Sequence, residues 1–173
     1  AIYDGTDAIM LSGESAQGKY PEEAVETMNK IAHKIEENLD YASILRRAIR
    51  TADTSNSSEA ICMSVAEIAS KFNVAAIIAF TDSGFTARKM SRYRTKSMII
   101  AATPNEQTTR ALAINWGVKS VLCKQMDTRA AMIEYAQVIA KENLVEPGEQ
   151  IIVTAGTPGV AGTTSYLELI TVK

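Results

Sequence analysis

Histidine and cysteine, which build many catalytic and metal centres, are scarce in this chain of 173 residues. The one histidine, His33, lies at the edge of the apolar stripe of a predicted helix, so we expect it on the surface. The two cysteines, Cys62 and Cys123, are far apart and lack CxxC spacing, so we expect buried free thiols in a cytoplasmic protein. A histidine metal cluster is thereby excluded, and no cysteine metal site or redox pair is indicated.

Long apolar runs and an excess of positive charge are missing as well. No stretch approaches the roughly 18 uninterrupted apolar residues that a membrane-spanning helix needs. The formal net charge is −2, whereas a nonspecific nucleic-acid-binding protein needs many cations on one surface. The opening AIYDGTDAIML has neither an initiator methionine nor the positive segment of a signal peptide. We therefore expect a fragment of a longer protein, with no membrane or nucleic-acid partner.

Motifs for covalent or acid–base catalysis are also absent from the sequence. There is no GxSxG elbow, and no histidine is placed to act as a base for a serine. Asp7 and Glu14 flank a predicted strand, but two carboxylates without a metal cluster or a lysine partner do not make an active site. We predict no catalytic residues and no metal site, which disfavours a small autonomous hydrolase or transferase.

Apolar residues, in contrast, make up 46% of the chain, which is enough for the core of one ordinary domain. Apolar runs of strand length predict strands over residues 74–80, 97–103, 118–124 and 150–155. Helical patterns between these runs predict helices over about 85–93, 104–116 and 127–142. Short connections of this kind predict an α/β fold: a mostly parallel, five-stranded sheet between two layers of helices, whose last strand, over residues 165–172, is antiparallel.

The part of the chain before residue 74 is predicted mainly from its helix signals. Pro21 suits the first turn of a helix that runs to about Asp40, and residues 41–50 continue as helix after a bend. The preceding run DAIMLS, residues 7–12, predicts a buried strand. The polar residues 51–58 form a loop, which is the best candidate for a boundary.

Two helix starts have the spacing of a capping box, in which a polar side chain and an acidic residue three positions later satisfy each other's backbone N–H groups. Asn56 with Glu59 has this spacing, and so does Thr103 with Glu106. Pro104 would then occupy the first helical position of the second of these helices. These signals predict where both helices begin.

The stretch TDSGFT, residues 81–86, lies between a predicted buried strand and a predicted helix. A helix start offers unpaired N–H groups to an anion, the hydroxyls of this loop add donors, and Gly84 lets the backbone approach a ligand closely. Helix capping is the simpler explanation of the same residues, and the carboxylate of Asp82 would repel a phosphate. The spacing therefore leaves both a phosphate cradle and a simple cap open. Positive potential would come from the basic residues of the helix that follows, Arg88, Lys89, Arg92 and Arg94.

A second polar loop follows the last parallel strand, as TPGVAGTT over residues 157–164. Its glycines match no nucleotide fingerprint, it opens no helix, and it contains no lysine or arginine. It is either a flexible connection between strands or a mobile wall over the first loop. Because ligands bind outside the carboxyl ends of parallel strands, we expect both loops at the same edge of the sheet.

Several longer segments resemble one enzyme family. DGTDAIMLSGESAQGKYPEEAV, residues 4–25, is similar to the segment around the last barrel strand and helix of pyruvate kinase, above all in LSGE followed by GKYP. The similarity continues, in the family's order, through EAIC, TDSGFT, SRYRTKSMIIAAT, NWGVKSVL and GTTSYLELITV. It therefore covers essentially the whole chain.

The resemblance implies a division of the chain and a parent activity. Residues 1–40 would be the tail of the catalytic (β/α)₈ barrel, and residues 41–173 the C-terminal regulatory domain. The full-length enzyme would be a cytoplasmic homotetramer that uses Mg²⁺ and K⁺ to transfer phosphate from phosphoenolpyruvate to ADP, giving pyruvate and ATP. Because the family's catalytic residues lie upstream, we expect this chain alone to be inactive and to need no cofactor.

The resemblance also implies an effector site, since regulated members bind the phosphate of a sugar phosphate or of AMP at the loop after the first C-domain strand. The glycine-rich loop is a possible second contact. The implied residues of the first loop are Thr81, Ser83, Gly84, Phe85 and Thr86, and those of the second are Gly156, Thr157, Gly159, Gly162 and Thr163.

Three departures from the family pattern make a monophosphate such as AMP or ribose 5-phosphate a rival to fructose 1,6-bisphosphate. They are Asp82, the lack of arginine in the second loop, and Ser165 where asparagine is common. The alternative is a structural, subunit-interaction domain that binds no ligand.

Overall fold

A computed structural model describes residues 1–53, 55–157 and 163–173 of the chain. The chain divides into two compact units, Ala1–Asp40 and Tyr41–Lys173. In the described ranges, no helix has the length and apolar character needed to cross a membrane.

The first unit contains a short helix α1 (Gly13–Ala16) and a longer helix α2 (Pro21–Glu36). Pro21 occupies the first turn of α2, as predicted, but the helix ends at Glu36 and not near Asp40. The prediction of a buried strand over residues 7–12 is wrong, because this segment is irregular and Met10 is 85% exposed. A strand needs a neighbour to pair with its N–H and C=O groups, and Ala1–Asp40 contains none.

The second unit is built on one sheet of five strands in the order β3-β2-β1-β4-β5. Strands β1 to β4 are parallel to one another, and β5 is antiparallel to β4. The predicted α/β fold with an antiparallel last strand is therefore confirmed. The strands are β1 (Ala76–Phe80), β2 (Met98–Thr103), β3 (Val118–Leu122), β4 (Gln150–Ala155) and β5 (Tyr166–Thr171).

Helices cover both faces of this sheet. Side chains alternate along each strand, so Ile77 and Ile99 pack in one core with residues of α3, α4, α5 and α6, while Ile78 and Ile100 pack in a second core with α7. The result is the predicted three-layer arrangement. The helices are α3 (Tyr41–Arg50), α4 (Ser57–Phe72), α5 (Phe85–Ser91), α6 (Glu106–Leu112) and α7 (Arg129–Glu142).

Neither predicted capping box forms as such. Asn56 does cap α4, since its Oδ1 accepts a hydrogen bond from the Ser58 N–H at 2.9 Å, but Glu59 is buried in contacts with another helix. At α6 the cap is Asn105, which accepts from the Gln107 N–H at 2.8 Å, so Thr103 belongs to β2 instead. Local spacing predicted that a helix begins at each place, but the partners of each side chain depend on the surrounding fold.

Candidate functional site

A cleft opens where the strand order of the sheet reverses. From β1 the chain runs outward to β2 and β3, and then returns to the other side of β1 as β4. Such a switch point leaves a crevice at the carboxyl ends of the two central strands. The cleft holds about 530 Å³ of space, including open solvent, and segments that follow β1, β2, β3 and β4 form its walls.

Most of the predicted residues of the first loop lie on this cleft. Thr81, Ser83, Phe85 and Thr86 line it, but Gly84 does not. Gly84 caps the start of α5 with a φ of +77°, and a Cβ at this position would lie 3.0 Å from Cδ2 of Leu112. The backbone conformation and the packing against α6 therefore both favour glycine at this position.

The second loop contributes the residues at its two ends. Gly156, Thr157 and Thr163 line the cleft, whereas the predicted Gly159 and Gly162 lie outside the described residues. The N–H of Thr157 donates to Oγ1 of Thr163 at 3.2 Å, so the ends of the loop are held together. The structure thus brings the described ends of both predicted loops to one cleft.

The backbone of the first loop shows an asymmetry between donors and acceptors. The carbonyl of Asp82 accepts from the Thr108 hydroxyl at 2.9 Å, and the carbonyl of Ser83 accepts from the Arg88 guanidinium at 2.8 Å. No described residue accepts a hydrogen bond from the backbone N–H groups of residues 82–86. The N–H groups of this loop therefore have no acceptor among the described residues, while the carbonyls of Asp82 and Ser83 are already bonded.

The hydroxyl of Thr86 links the two loops. Its Oγ1 lies 2.8 Å from Oγ1 of Thr164, at the end of the second loop. The N–H of Thr164 in turn donates to Oγ of Ser58, in the first turn of α4, at 2.9 Å. All three side chains are buried, so Thr86 belongs to the internal framework of the cleft as well as to its wall.

The four basic residues in α5 and just after it have different partners. Lys89 forms an ion pair with the buried Glu59, and Arg92 lies 3.6 Å from the same carboxylate. Arg94 places its guanidinium 4.7 Å from the centre of the Trp116 ring. Arg88, as described above, donates to a backbone carbonyl. Lys89 and Arg92 therefore share one buried negative charge, whereas Arg88 keeps its positive charge beside the first loop. The positive potential at the loop stays a prediction.

Glu59 is the centre of a buried polar network. It is 2% exposed, and its Oε1 accepts a hydrogen bond from the Tyr93 hydroxyl at 2.7 Å. Burial alone would raise the pKa of Glu59, but hydrogen bonds from Lys89 and Tyr93, with the charges of Lys89 and Arg92, outweigh it and lower the pKa below the ordinary 4.5. Burial and the hydrogen bond to Glu59 raise the pKa of Tyr93. The carboxylate is therefore ionised and fully partnered.

Comparison with known proteins shows where this architecture belongs. The family model "Pyruvate kinase, alpha/beta domain" matches residues 59–170, and "Pyruvate kinase, barrel domain" matches residues 1–25. The chain belongs to the pyruvate kinase family. It is 48% identical over 171 residues to the pyruvate kinases of Staphylococcus epidermidis, Staphylococcus saprophyticus and Staphylococcus aureus, covering 98% of this chain and 29% of each relative.

A solved structure shows the same similarity in three dimensions. "Cryptosporidium parvum pyruvate kinase in complex with ADP" superposes with a TM-score of 0.87 and 31% sequence identity, over 100% of this chain and 35% of that chain. The chain thus spans about a third or less of the pyruvate kinases that it matches.

Sequence reasoning missed one wall of the pyruvate kinase cleft, the segment after β3. Cys123, Lys124 and Gln125 line the cleft there. Burial, together with the negative charge of Asp82, raises the pKa of Cys123, so this thiol keeps its proton. The signal that could have found these residues is their position, because they too follow the carboxyl end of a parallel strand.

Proposed function

We propose that this chain is the effector-binding and subunit-association part of a pyruvate kinase, and that its cleft binds the phosphate group of a small phosphorylated effector. The observation that carries the proposal is the run of backbone N–H groups from Asp82 to Thr86 that have no acceptor among the described residues, on a loop whose carbonyls are bonded elsewhere. Successive N–H groups of this kind form an anion-binding concavity. The hydroxyls of Thr81 and Ser83 add donors beside them.

The charges on the cleft wall favour an effector with one phosphate. Among the described wall residues, Lys124 is the cation and Asp82 the anion, so their formal charges cancel. A bisphosphate would carry far more negative charge than this wall neutralises, and the described ends of the second loop add no cation. A monophosphate such as ribose 5-phosphate or AMP is the better match, with its phosphate at the backbone donors and its polar remainder near Asp82.

The parent enzyme would transfer phosphate from phosphoenolpyruvate to ADP, and would work as a cytoplasmic tetramer with Mg²⁺ and K⁺. The described residues of this chain contain no group of three or more histidine, cysteine, aspartate or glutamate side chains that could hold a metal ion. They therefore do not fit a metal centre, and no step through a metal follows from them. We expect no pyruvate kinase turnover from this chain alone, and ATP formation by the purified chain, free of contaminating kinase, would contradict this.

A second candidate is a structural, subunit-interaction domain that binds no ligand. Two observations favour it. The carboxylate of Asp82 is exposed on the cleft wall, where it would repel an anion, and the hydroxyl of Thr86 already has a protein partner. The two candidates differ in one measurable property, which is whether any phosphate compound stabilises the folded chain.

The test is a thermal-shift and calorimetric titration at fixed salt with ribose 5-phosphate, AMP, glucose 6-phosphate and fructose 1,6-bisphosphate. A ligand at about 100 times its Kd should add about 2.7 kcal/mol to the free energy of unfolding. Lys124→Gln should weaken binding, whereas Lys141→Gln, an exposed control in the last turn of α7, should leave it unchanged. Ribose and adenosine without phosphate should give no shift. If no phosphate compound raises the Tm, a structural, subunit-interaction domain that binds no ligand is the better explanation of the fold.

A further inference from the structure

The peptide group between Asp82 and Ser83 is tied to the rest of the domain through its carbonyl. The Asp82 carbonyl accepts a hydrogen bond from the Thr108 hydroxyl of α6 at 2.9 Å, and the Thr103 hydroxyl, at the end of β2, lies 3.5 Å from the same oxygen. Thr108 is 8% exposed, and Thr103 is fully buried. The two contacts join residues 26 and 21 positions apart in the chain, so they form only when the domain folds.

The donor of each contact is fixed, because a carbonyl oxygen can only accept a hydrogen bond. The Thr108 hydroxyl therefore donates its proton to the Asp82 carbonyl. A peptide group is planar and almost always trans, so its N–H points away from its C=O. The N–H of this peptide group is that of Ser83. Holding the Asp82 carbonyl on the side of α6 therefore aims the Ser83 N–H to the opposite side of the loop.

The cleft lies on that opposite side. Ser83 lines the cleft, whereas Thr103 and Thr108 are not among the described residues that line it. The Ser83 N–H has no acceptor among the described residues. This donor therefore faces the space in which the proposed function places the phosphate group.

We propose that Thr108 is a positioning residue of the effector site, whose hydroxyl holds the Asp82 carbonyl away from the cleft and thereby keeps the Ser83 N–H aimed at the bound phosphate. The inference rests on the proposed function, because it concerns the same phosphate group. Thr108 itself does not touch the ligand. A donor that is already oriented binds more tightly, because its backbone freedom need not be lost when the ligand binds.

The two branches of the Thr108 side chain have different contacts, so their roles can be separated by substitution. The hydroxyl holds the Asp82 carbonyl, whereas the methyl carbon Cγ2 packs beside Gly84, 3.2 Å from the place that a Cβ would occupy there. Thr108→Val removes the hydroxyl and keeps the methyl group, and Thr108→Ser does the reverse. Positioning should depend on the hydroxyl, and packing against Gly84 should depend on the methyl group.

The experiment is a titration of the ¹⁵N-labelled chain with inorganic phosphate, followed by NMR through the amide signals of residues 82–86. In the wild-type chain we expect the Ser83 amide proton to move downfield, because it becomes hydrogen-bonded to an anion. Thr108→Val should weaken phosphate binding about five- to tenfold and reduce this shift at saturation, because the freed peptide group must be ordered on binding. Thr108→Ser should restore most of both.

Ser120→Ala is the matched control for stability. The Ser120 hydroxyl, in β3, donates to the carbonyl of Thr109 at 2.8 Å, so it also ties α6 to the sheet, one residue along from Thr108. Ser120→Ala should lower the Tm, as Thr108→Val does, but should leave the Kd for phosphate and the Ser83 shift unchanged. Equal losses of affinity in both variants would overturn the inference, because a general loosening of α6 would then explain them.

The other outcomes separate this inference from the proposed function. An unchanged Kd and Ser83 shift in Thr108→Val, while the wild-type chain binds, would overturn the inference and leave the proposed function standing. Weak binding in Thr108→Ser with normal binding in Thr108→Val would do the same, since packing against Gly84 would then be the role of Thr108. Absence of any phosphate-dependent shift in the wild-type chain would overturn both.

Discussion

Two polar groupings lie along the segment from Thr81 to Tyr93, and they differ in how completely their members are paired. The closed cluster consists of Glu59, Lys89, Arg92 and Tyr93. Its buried carboxylate, that of Glu59, is ion-paired with Lys89 and Arg92 and accepts a hydrogen bond from Tyr93. The open cleft consists of the backbone donors of residues 82–86 with the side chains of Asp82 and Lys124, none of which is paired with a described residue.

The difference follows from access to water. A charge at 2% exposure would be very unfavourable without partners, so the closed cluster must be complete for the chain to fold well. Polar groups on an open cleft are solvated until a ligand arrives, so leaving them unpaired has a small effect on stability. We infer that the closed cluster maintains the position of α5, and that the open cleft is where the proposed effector would bind.

The largest effect is expected from breaking the closed cluster. Glu59→Gln removes the charge that Lys89 and Arg92 share, and weakens the hydrogen bond of the buried Tyr93 hydroxyl. Removal of one partner of a buried ion pair typically costs about 3–5 kcal/mol. Urea denaturation measures the loss, with Glu67→Gln as a control on the same helix, where a change within about 0.5 kcal/mol is expected. A loss no larger than that of the control would show that the cluster is not a stability element.

A somewhat smaller effect is expected at Gly84, where the two groupings meet at the start of α5. Gly84→Ala must accept a φ of +77° and bring a Cβ within 3.0 Å of Leu112 and 2.7 Å of the flexible Arg88 guanidinium. We expect a loss of about 2–4 kcal/mol, combining left-handed strain with overpacking. Gly117→Ala, at a φ of +67° with no neighbour within 4 Å, isolates the strain alone and should cost about 1–2 kcal/mol. Equal losses would show that packing against α6 is unimportant.

Acid should weaken the closed cluster before it affects the donors of the cleft. The folded-state pKa of Glu59 lies below its ordinary value of 4.5. The unfolded chain therefore binds the proton first, and the stabilisation is present above pH 4.5 and lost as the pH falls through the lower, folded-state pKa. Denaturation midpoints between pH 7 and pH 3 should show this loss, and Glu59→Gln should reduce the slope. An identical slope in the variant would assign the acid sensitivity to other groups.

The smallest effect is expected from the charges of the cleft, and it concerns binding more than folding. Asp82→Asn removes a negative charge from the wall and should tighten phosphate binding by roughly fivefold, or about 1 kcal/mol. Its free energy of unfolding should change by less than about 0.5 kcal/mol. Calorimetric titrations at low and high salt provide the measurement, and the gain should shrink at high salt. Unchanged affinity would place the Asp82 carboxylate away from the phosphate.

Much of the fold could be predicted from the sequence because it depends on local patterns. Apolar runs of strand length alternating with helical segments predict the parallel sheet, and the final alternating run predicts its antiparallel edge strand. Loops that follow parallel strands meet at one edge of the sheet. The residues around Thr81 and Thr157 could therefore also be predicted to lie at the same edge of the sheet. The prediction of a strand over residues 7–12 was wrong because a strand is stable only beside a second strand. A local pattern does not show whether such a neighbour is present.

The candidate site was predicted less completely because hydrogen-bond partners are set by distant residues. The spacing of Glu59 favours a cap, yet Lys89 of α5 and Tyr93 in the turn after α5 pair with it. Cys123 and Lys124 were missed because the predicted strand ran to residue 124, whereas β3 ends at Leu122 and leaves both residues in the segment that lines the cleft.

The sequence alone determined the family, through runs such as LSGE and GKYP, and the order and type of the elements in the second unit. These depend on residue identity and on periods of two or 3.6 residues along the chain, which need no knowledge of contacts. Only the tertiary structure decided which polar groups are paired. Residues up to 106 positions apart, such as Ser58 and Thr164, become neighbours only when the sheet forms. Burial then decides which polar groups must be paired within the protein, because only the exposed groups can bond to water instead.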